Sequence, residues 1–449
     1  MRTYIIGALA LLTLASVPSR SESLNEMYQH ALQNDHNFKA AQAAYDAGLQ
    51  EKNIGRSNLL PKISGEASWT DSENESDPSS NIRPEESTSS GYGLSLTQPI
   101  IDFSAWHSYK RGKVASKAAE AQFKAKQQAL IVRTATAYFD ALRAVDIFET
   151  AKAEENANRS QLEQTQKRFE VGLTAITEVH EAQAAYDNSL ARRLLAEGNV
   201  GIAYEALEVI TGQSYQALLP LKKDFPIVSP SPEKREAWVE FATKNNFNLA
   251  AASLNAETAR QLANQSKAGH FPTLTASATY GETNTETLLS GTTAETDTTD
   301  QAVALTLKVP LFLGGEISAR RKQAASQFIE ARENYFQAQR DTIQQARSLH
   351  LTVLTDVATV KARKQATISS QSALDATQAG YEVGTRDLVD VLIAQRGLFS
   401  AQSNYSDALY TYVLNTLKLK EVAGLLSEKD VLELDKWLDT SRTVVRSTY

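Results

Sequence analysis

Six histidines, at positions 30, 36, 107, 180, 270 and 350, are the side chains best suited here to moving a proton or holding a metal. None stands at the spacing of HExxH, which sets two imidazoles on one helix face around a zinc ion. The chain carries no GxSxG turn, no phosphate-binding loop and no dinucleotide fingerprint. Cysteine is absent, so there is no thiol nucleophile, no disulfide, no cysteine-ligated metal and no residue for lipid acylation. Asp and Glu number 53 against 46 Lys and Arg, a net charge of -7. Spread over long polar stretches, those acids read as solvating charge. An enzyme is not indicated, no cofactor or metal is called for, and the acidic balance argues against nucleic acid, whose phosphates demand a basic surface.

One motif, by contrast, occurs twice. Phe169-Glu170-Val171-Gly172 returns as Tyr381-Glu382-Val383-Gly384, and Glu178-Val179 returns as Asp390-Val391. Asn34 and Asn245, Asn37 and Asn248, Pro61 and Pro272, and Pro99 and Pro310 keep the same register, an offset of 211 to 212 residues. The chain is a tandem duplication. At the end of each half, Val171-Gly172-Leu173 and Val383-Gly384-Thr385 stand between helical stretches, where a glycine lets the backbone turn without steric penalty.

The elements that position these turns can be read from proline placement, because proline breaks helix interiors. None occurs between Asp102 and Leu219 or from Leu311 to the end, and both spans are rich in Ala and Gln. Helices are expected over 104–170, 174–210, 316–380 and 386–424. The first would be roughly 100 Å long at about 1.5 Å per residue. Ile131, Ala135, Tyr138, Leu142 and Val145 follow the 4-3-4-3 spacing of a coiled-coil seam. Such rods must pack lengthwise against neighbours.

Between the helices lie four alternating segments, about 61–70, 91–103, 272–281 and 301–313. Ile63, Gly65, Ala67 and Trp69 oppose Ser64, Glu66, Ser68 and Thr70, and Val303, Leu305, Leu307 and Val309 oppose Ala304, Thr306 and Lys308. The pattern fits a half-buried soluble sheet or a barrel wall with lipid outside and water inside. Strands of about ten residues, with Trp69, Tyr92, Phe103, Tyr280 and Phe312 near their ends, suit a membrane-spanning wall with an aromatic girdle. The polar connections Asp71 to Gly91 and Gly281 to Gln301 are expected as exposed loops. Four strands cannot close, and open edges do not survive in lipid. Two chains would give a barrel filled by its own side chains, whereas three would give 12 strands and a pore.

Residues 1–23 have the layout of a secretory signal: Arg2, an apolar run from Tyr4 to Ala15, and small residues before the exit. No later stretch approaches the roughly 20 apolar residues of a membrane helix. The organisation is therefore a signal peptide, a first repeat over 24–219, a connector over 220–234 with Pro220, Pro226, Pro230 and Pro232 at or near it, a second repeat over 235–425 and a tail over 426–449. Each repeat opens with a helix. A secreted coiled-coil adaptor or scaffold would explain the heptads and the signal, but not four regularly placed amphipathic strands.

Over its whole mature length the chain resembles the TolC-type outer-membrane efflux family. The resemblance is carried by Thr134-Ala135-Thr136-Ala137-Tyr138-Phe139, by Arg168-Phe169-Glu170-Val171-Gly172-Leu173 with Ala175-Ile176-Thr177, and by Gly380-Tyr381-Glu382-Val383-Gly384-Thr385-Arg386 with Val389-Asp390-Val391-Leu392. It implies a mixed α/β membrane protein. The homotrimer would form a 12-stranded outer-membrane barrel, four strands per chain, continued by a long periplasmic α-helical barrel. Such a duct joins an inner-membrane pump of the RND, MFS or ABC type through a periplasmic adaptor, and exports drugs or proteins. The resemblance makes Val171, Gly172, Leu173, Val383, Gly384 and Thr385 adaptor-docking tips and Asp390 the acid of the periplasmic aperture. It makes Thr177, Glu178, Tyr381 and Arg386 a clasp holding the gate closed. Relatives often place a second acid one turn after Asp390, where this chain has Ile393, and Glu178 replaces a shorter acid.

Overall fold

The computed structural model describes residues 22–74, 85–289 and 292–446. The signal segment lies almost wholly outside them. In chain order the helices are α1 (Leu24–Asn34), α2 (His36–Ser57), α3 (Phe103–Glu170), α4 (Ile176–Thr211), α5 (Arg235–Asn245), α6 (Phe247–Ala268), α7 (Glu316–Glu382), α8 (Leu388–Val422) and α9 (Glu428–Asp435). The strands are β1 (Lys62–Asn74), β2 (Glu85–Ile101), β3 (Ala217–Leu218), β4 (Thr273–Leu289), β5 (Thr292–Lys308) and β6 (Val444–Val445). No described helix is long and apolar enough to cross a membrane.

The chain forms two compact units, and each draws on both repeats. One comprises residues 1–39, 126–245 and 343–449; the other comprises 40–125 and 246–342. Sequence repeat and spatial unit are therefore different divisions, because the long helices α3 and α7 each belong partly to both.

The second unit holds a four-stranded antiparallel sheet in the order β1-β2-β4-β5. Directly opposed residues share a face. The pairs Ile63–Leu96, Ala67–Tyr92, Leu94–Tyr280, Leu96–Ala278 and Ala276–Leu305 make one face apolar. Among the described residues that face has no cover: Trp69 is 68% and Val303 88% exposed.

The strands are longer than the hydropathy pattern suggests. The described residues of the expected loops Asp71 to Gly91 and Gly281 to Gln301 are strand, with β1 running to Asn74, β2 starting at Glu85, β4 running to Leu289 and β5 starting at Thr292. The rest of those loops, residues 75–84, 290 and 291, lies outside the described residues. Beyond the apolar band the same face carries Asp71, Glu73, Glu86, Glu282, Glu286, Glu295 and Asp297, while the other face stays mostly Ser, Thr and Gly. Alternating Thr with Glu has no hydropathy contrast, yet Thr suits a pleated ladder. At the other end β5 stops at Lys308, short of the expected 313, because Pro310 cannot donate to the ladder and Gly314 and Gly315 take positive φ. Phe103, expected at the end of a strand, is the first residue of α3.

The opening helix of each repeat is broken at one position, Asp35 in the first and Asn246 in the second. Asp35 accepts from the Phe38 amide at 2.6 Å, and Asn246 accepts from the Leu249 amide at 2.8 Å. Both act as N-caps for the helix after them. Asp35 is buried and also meets Arg133 at 2.6 Å.

In the other unit Ile131, Ala135, Tyr138, Leu142 and Val145 are all buried along α3. The tail forms α9 behind a Ser427–Asp430 capping box, then β6, which pairs with β3. That pairing joins the end of the first repeat to the tail, and a bridge from Leu221 to Leu438 joins the connector to it.

Candidate functional site: two helix-hairpin tips

Both long hairpins turn by the same device. After α3, the amide of Leu173 donates to the Arg168 carbonyl at 2.8 Å and that of Gly172 to Phe169 at 2.9 Å. After α7, Thr385 donates to Gly380 at 2.8 Å and Gly384 to Tyr381 at 3.1 Å. These are Schellman caps, with Gly172 at φ 79° and Gly384 at φ 80°. Open space surrounds both glycines, so backbone conformation alone selects them. Val171, Leu173, Val383 and Thr385 are exposed, a small apolar surface on each turn.

The tips differ just past the turn. At the second, Asp387 caps α8 by accepting from the Asp390 amide at 2.9 Å, whereas Ala175 gives α4 no side-chain cap. Arg386 reaches along the same strand of backbone to Asp390, with Nη1 3.3 Å from Oδ2 and both groups exposed. A methyl group on Gly380 would lie 2.8 Å from Cγ of Arg386, so the bare backbone there makes room for that side chain.

The expected clasp is only partly assembled within one chain. Tyr381 is 6% exposed and packs among Leu162, Ala182, Leu388 and Val391. Its hydroxyl donates to Glu178 Oε2 at 3.4 Å, a long contact. Burial foremost, with the Glu178 carboxylate adding to it, holds its phenol above the ordinary tyrosine range. Arg386 meets Asp390 rather than the first repeat, and Thr177 is exposed. Ile393 is exposed one turn beyond Asp390.

Sequence spacing gives Arg168 no role, although it stands in the motif. Its guanidinium lies over the Tyr381 ring, 4.9 Å from the centroid. Superposing the repeats is the signal that marks it: Arg168 matches Gly380, and Thr174 matches Arg386. Each tip thus carries one arginine, placed before the turn in the first and after it in the second.

Further along α3, Glu154, Asn158, Gln161 and Thr165 occupy buried positions at seam spacing. Glu154 takes a two-pronged bond from Arg192 at 2.7 and 3.2 Å, and Asn158 accepts from Gln395 of α8 at 3.2 Å. Towards the tip, then, α3 buries these polar side chains beside Leu162, whereas Ile131, Ala135, Tyr138, Leu142 and Val145 are buried and, apart from the Tyr138 hydroxyl, apolar. Among the described residues no cluster of His, Asp or Glu could hold a metal ion.

Two hairpins with matching caps, together with a sheet unit built from both repeats, describe a duplicated channel subunit, and the family model for outer membrane efflux proteins matches twice, over residues 27–213 and 238–425. The chain belongs to that family. It is an outer-membrane exit duct. It is 38% identical over 422 residues to outer membrane protein TolC of Vibrio cholerae, covering 94% of this chain and 95% of that one. It is 29% identical over 437 residues to the alkaline protease secretion protein AprF of Pseudomonas aeruginosa, covering 96% and 90%. The crystal structure of the Campylobacter jejuni CmeC outer membrane channel superposes with a TM-score of 0.75 at 19% identity, covering 98% of this chain and 99% of that chain. Membership of this family removes the coiled-coil adaptor reading of the duct.

Proposed function

We propose that three copies of this chain close a 12-stranded barrel in the outer membrane. The duct receives cargo from an inner-membrane pump through a periplasmic adaptor. The observation that carries the stoichiometry is the four-stranded sheet: among the described residues β1 and β5 each have one partner, and one face is apolar and bare. Unpaired ladder groups are not tolerated in hydrocarbon, so β5 of one protomer must meet β1 of the next.

The tips are the adaptor-docking surface, since their exposed Val171, Leu173, Val383 and Thr385 stand on rigid caps. Asp390 lines the aperture, and Tyr381 with Glu178 latches it. Links of about 0.5–1 kcal/mol each can bias a gate yet yield to a partner. Cargo class is set by the pump, and relatives named for efflux and for protease secretion share this duct architecture.

The test is the mass of the detergent-solubilised protein. Three chains are expected, with dissociation to one on heating. A stable monomer, or a dimer, would rule out closure by three.

A further inference from the structure

The long Tyr381–Glu178 contact is too weak to hold a phenol in place by itself. Something must fix where the ring sits. Apolar side chains from α3, α4 and α8 pack around it, and the guanidinium of Arg168 lies over its face. At 4.9 Å that cation is within the range in which a ring quadrupole attracts it. Arg168 has no ion pair among the described residues, and its buried Nε has no hydrogen-bond partner. Its ring contact is therefore the interaction that accounts for its pose. The contact exists once per chain, because the second repeat has Gly380 where the first has Arg168.

We propose that Arg168 is a positioning residue of the gate: stacked on Tyr381, it holds the phenol hydroxyl within reach of Glu178, so that α3 of the first repeat steadies a latch between α7 and α4. A planar guanidinium suits this role better than an ammonium, which is compact and strongly hydrated. The inference rests on the reading of Tyr381 and Glu178 as a latch, and its test separates the two.

The full-length channel is reconstituted in planar bilayers, its assembly is checked by native electrophoresis, and the resting open fraction is measured. Tyr381→Phe reports on the latch, and Arg168→Gln on the positioning. Arg168→Gln should raise the open fraction roughly twofold to fivefold, as expected for loss of one such contact. Arg168→Lys should fall between it and the parent. In a Tyr381→Phe background, Arg168→Gln should add little, because no hydroxyl remains to be positioned.

An Arg168→Gln channel that stays closed beside a leaky Tyr381→Phe channel overturns the positioning role. Effects that multiply in the double variant overturn it too, since they show Arg168 acting independently of the hydroxyl. If Tyr381→Phe leaves the channel closed, the latch itself is wrong. Should the Gln variant fail to assemble, the Lys variant decides: a parental open fraction overturns the stacking and a raised one supports it.

Discussion

At the residue scale, Asp390, the acid proposed for the aperture, is not free in the single chain. Arg386 pairs with Asp390 four residues on, an exposed pair of the kind worth about 0.3–0.5 kcal/mol. Arg386→Ser should therefore do two things: raise resting conductance slightly and deepen block by hexamminecobalt, because Asp390 loses its neutralising partner. Ile393→Asp should deepen that block further by adding a second acid. Equal block in parent, Arg386→Ser and Ile393→Asp channels would mean that these residues do not face the ion path. The identity of Asp390 is visible in the duplicated motif, but its pairing is not, since a glycine six residues before Arg386 admits the arginine. A second residue effect concerns pH. Burial raises the Asp146 carboxyl above its ordinary range, although Tyr410 donates to it at 2.8 Å. The native state thus holds this proton more readily than the unfolded chain, and stability from this group is lost as pH rises through the raised pKa. Asp146→Asn should melt higher than the parent at pH 7, with the gap closing towards about pH 4, the ordinary carboxylate range. A gap independent of pH would contradict this.

At the element scale, the caps make a sharper demand than the exposed apolar tips. Valine at Gly172 or Gly384 must adopt positive φ, at a cost of about 1–2 kcal/mol, although space around both positions is open. Either change should unwind its turn locally, abolishing drug resistance in complemented cells while the trimer stays intact. Full resistance with both glycines replaced would remove the tips from the docking surface. The elements themselves are largely legible in the sequence: a lack of proline exposes the long helices, and the 211-to-212-residue offset exposes the repeat. Strand ends are not, because past Trp69 the alternation passes from apolar against polar to acid against Ser and Thr. Nor is the break at Asp35, where one short side chain both caps α2 and takes the Arg133 ion pair.

At the scale of the whole molecule, the described residues of the single chain leave a face on α4 uncovered. Leu195, Ile202 and Val209 recur one heptad apart and are 71%, 69% and 81% exposed. A seam at that spacing calls for a helix alongside. A neighbouring protomer should supply it, so Leu195→Lys with Ile202→Lys should shift detergent-solubilised protein from trimer to monomer. A trimer of undiminished heat resistance would show that this stripe faces solvent or another partner. Strand count and repeat point to an oligomer, but which helix face meets the neighbour depends on which residues the chain itself leaves bare.

The exchange of arginine between the tips, Arg168 before one turn and Arg386 after the other, also sets the symmetry. In the proposed trimer, six tips from three chains would approximate a sixfold ring by backbone alone. By side chain the rotation would be threefold, with tips of two kinds alternating. A partner ring of six identical subunits could not meet them equivalently: every second subunit would face Leu173-Thr174 and its neighbours Thr385-Arg386. Chemically equal subunits in that ring would be sorted into two populations by the duct alone.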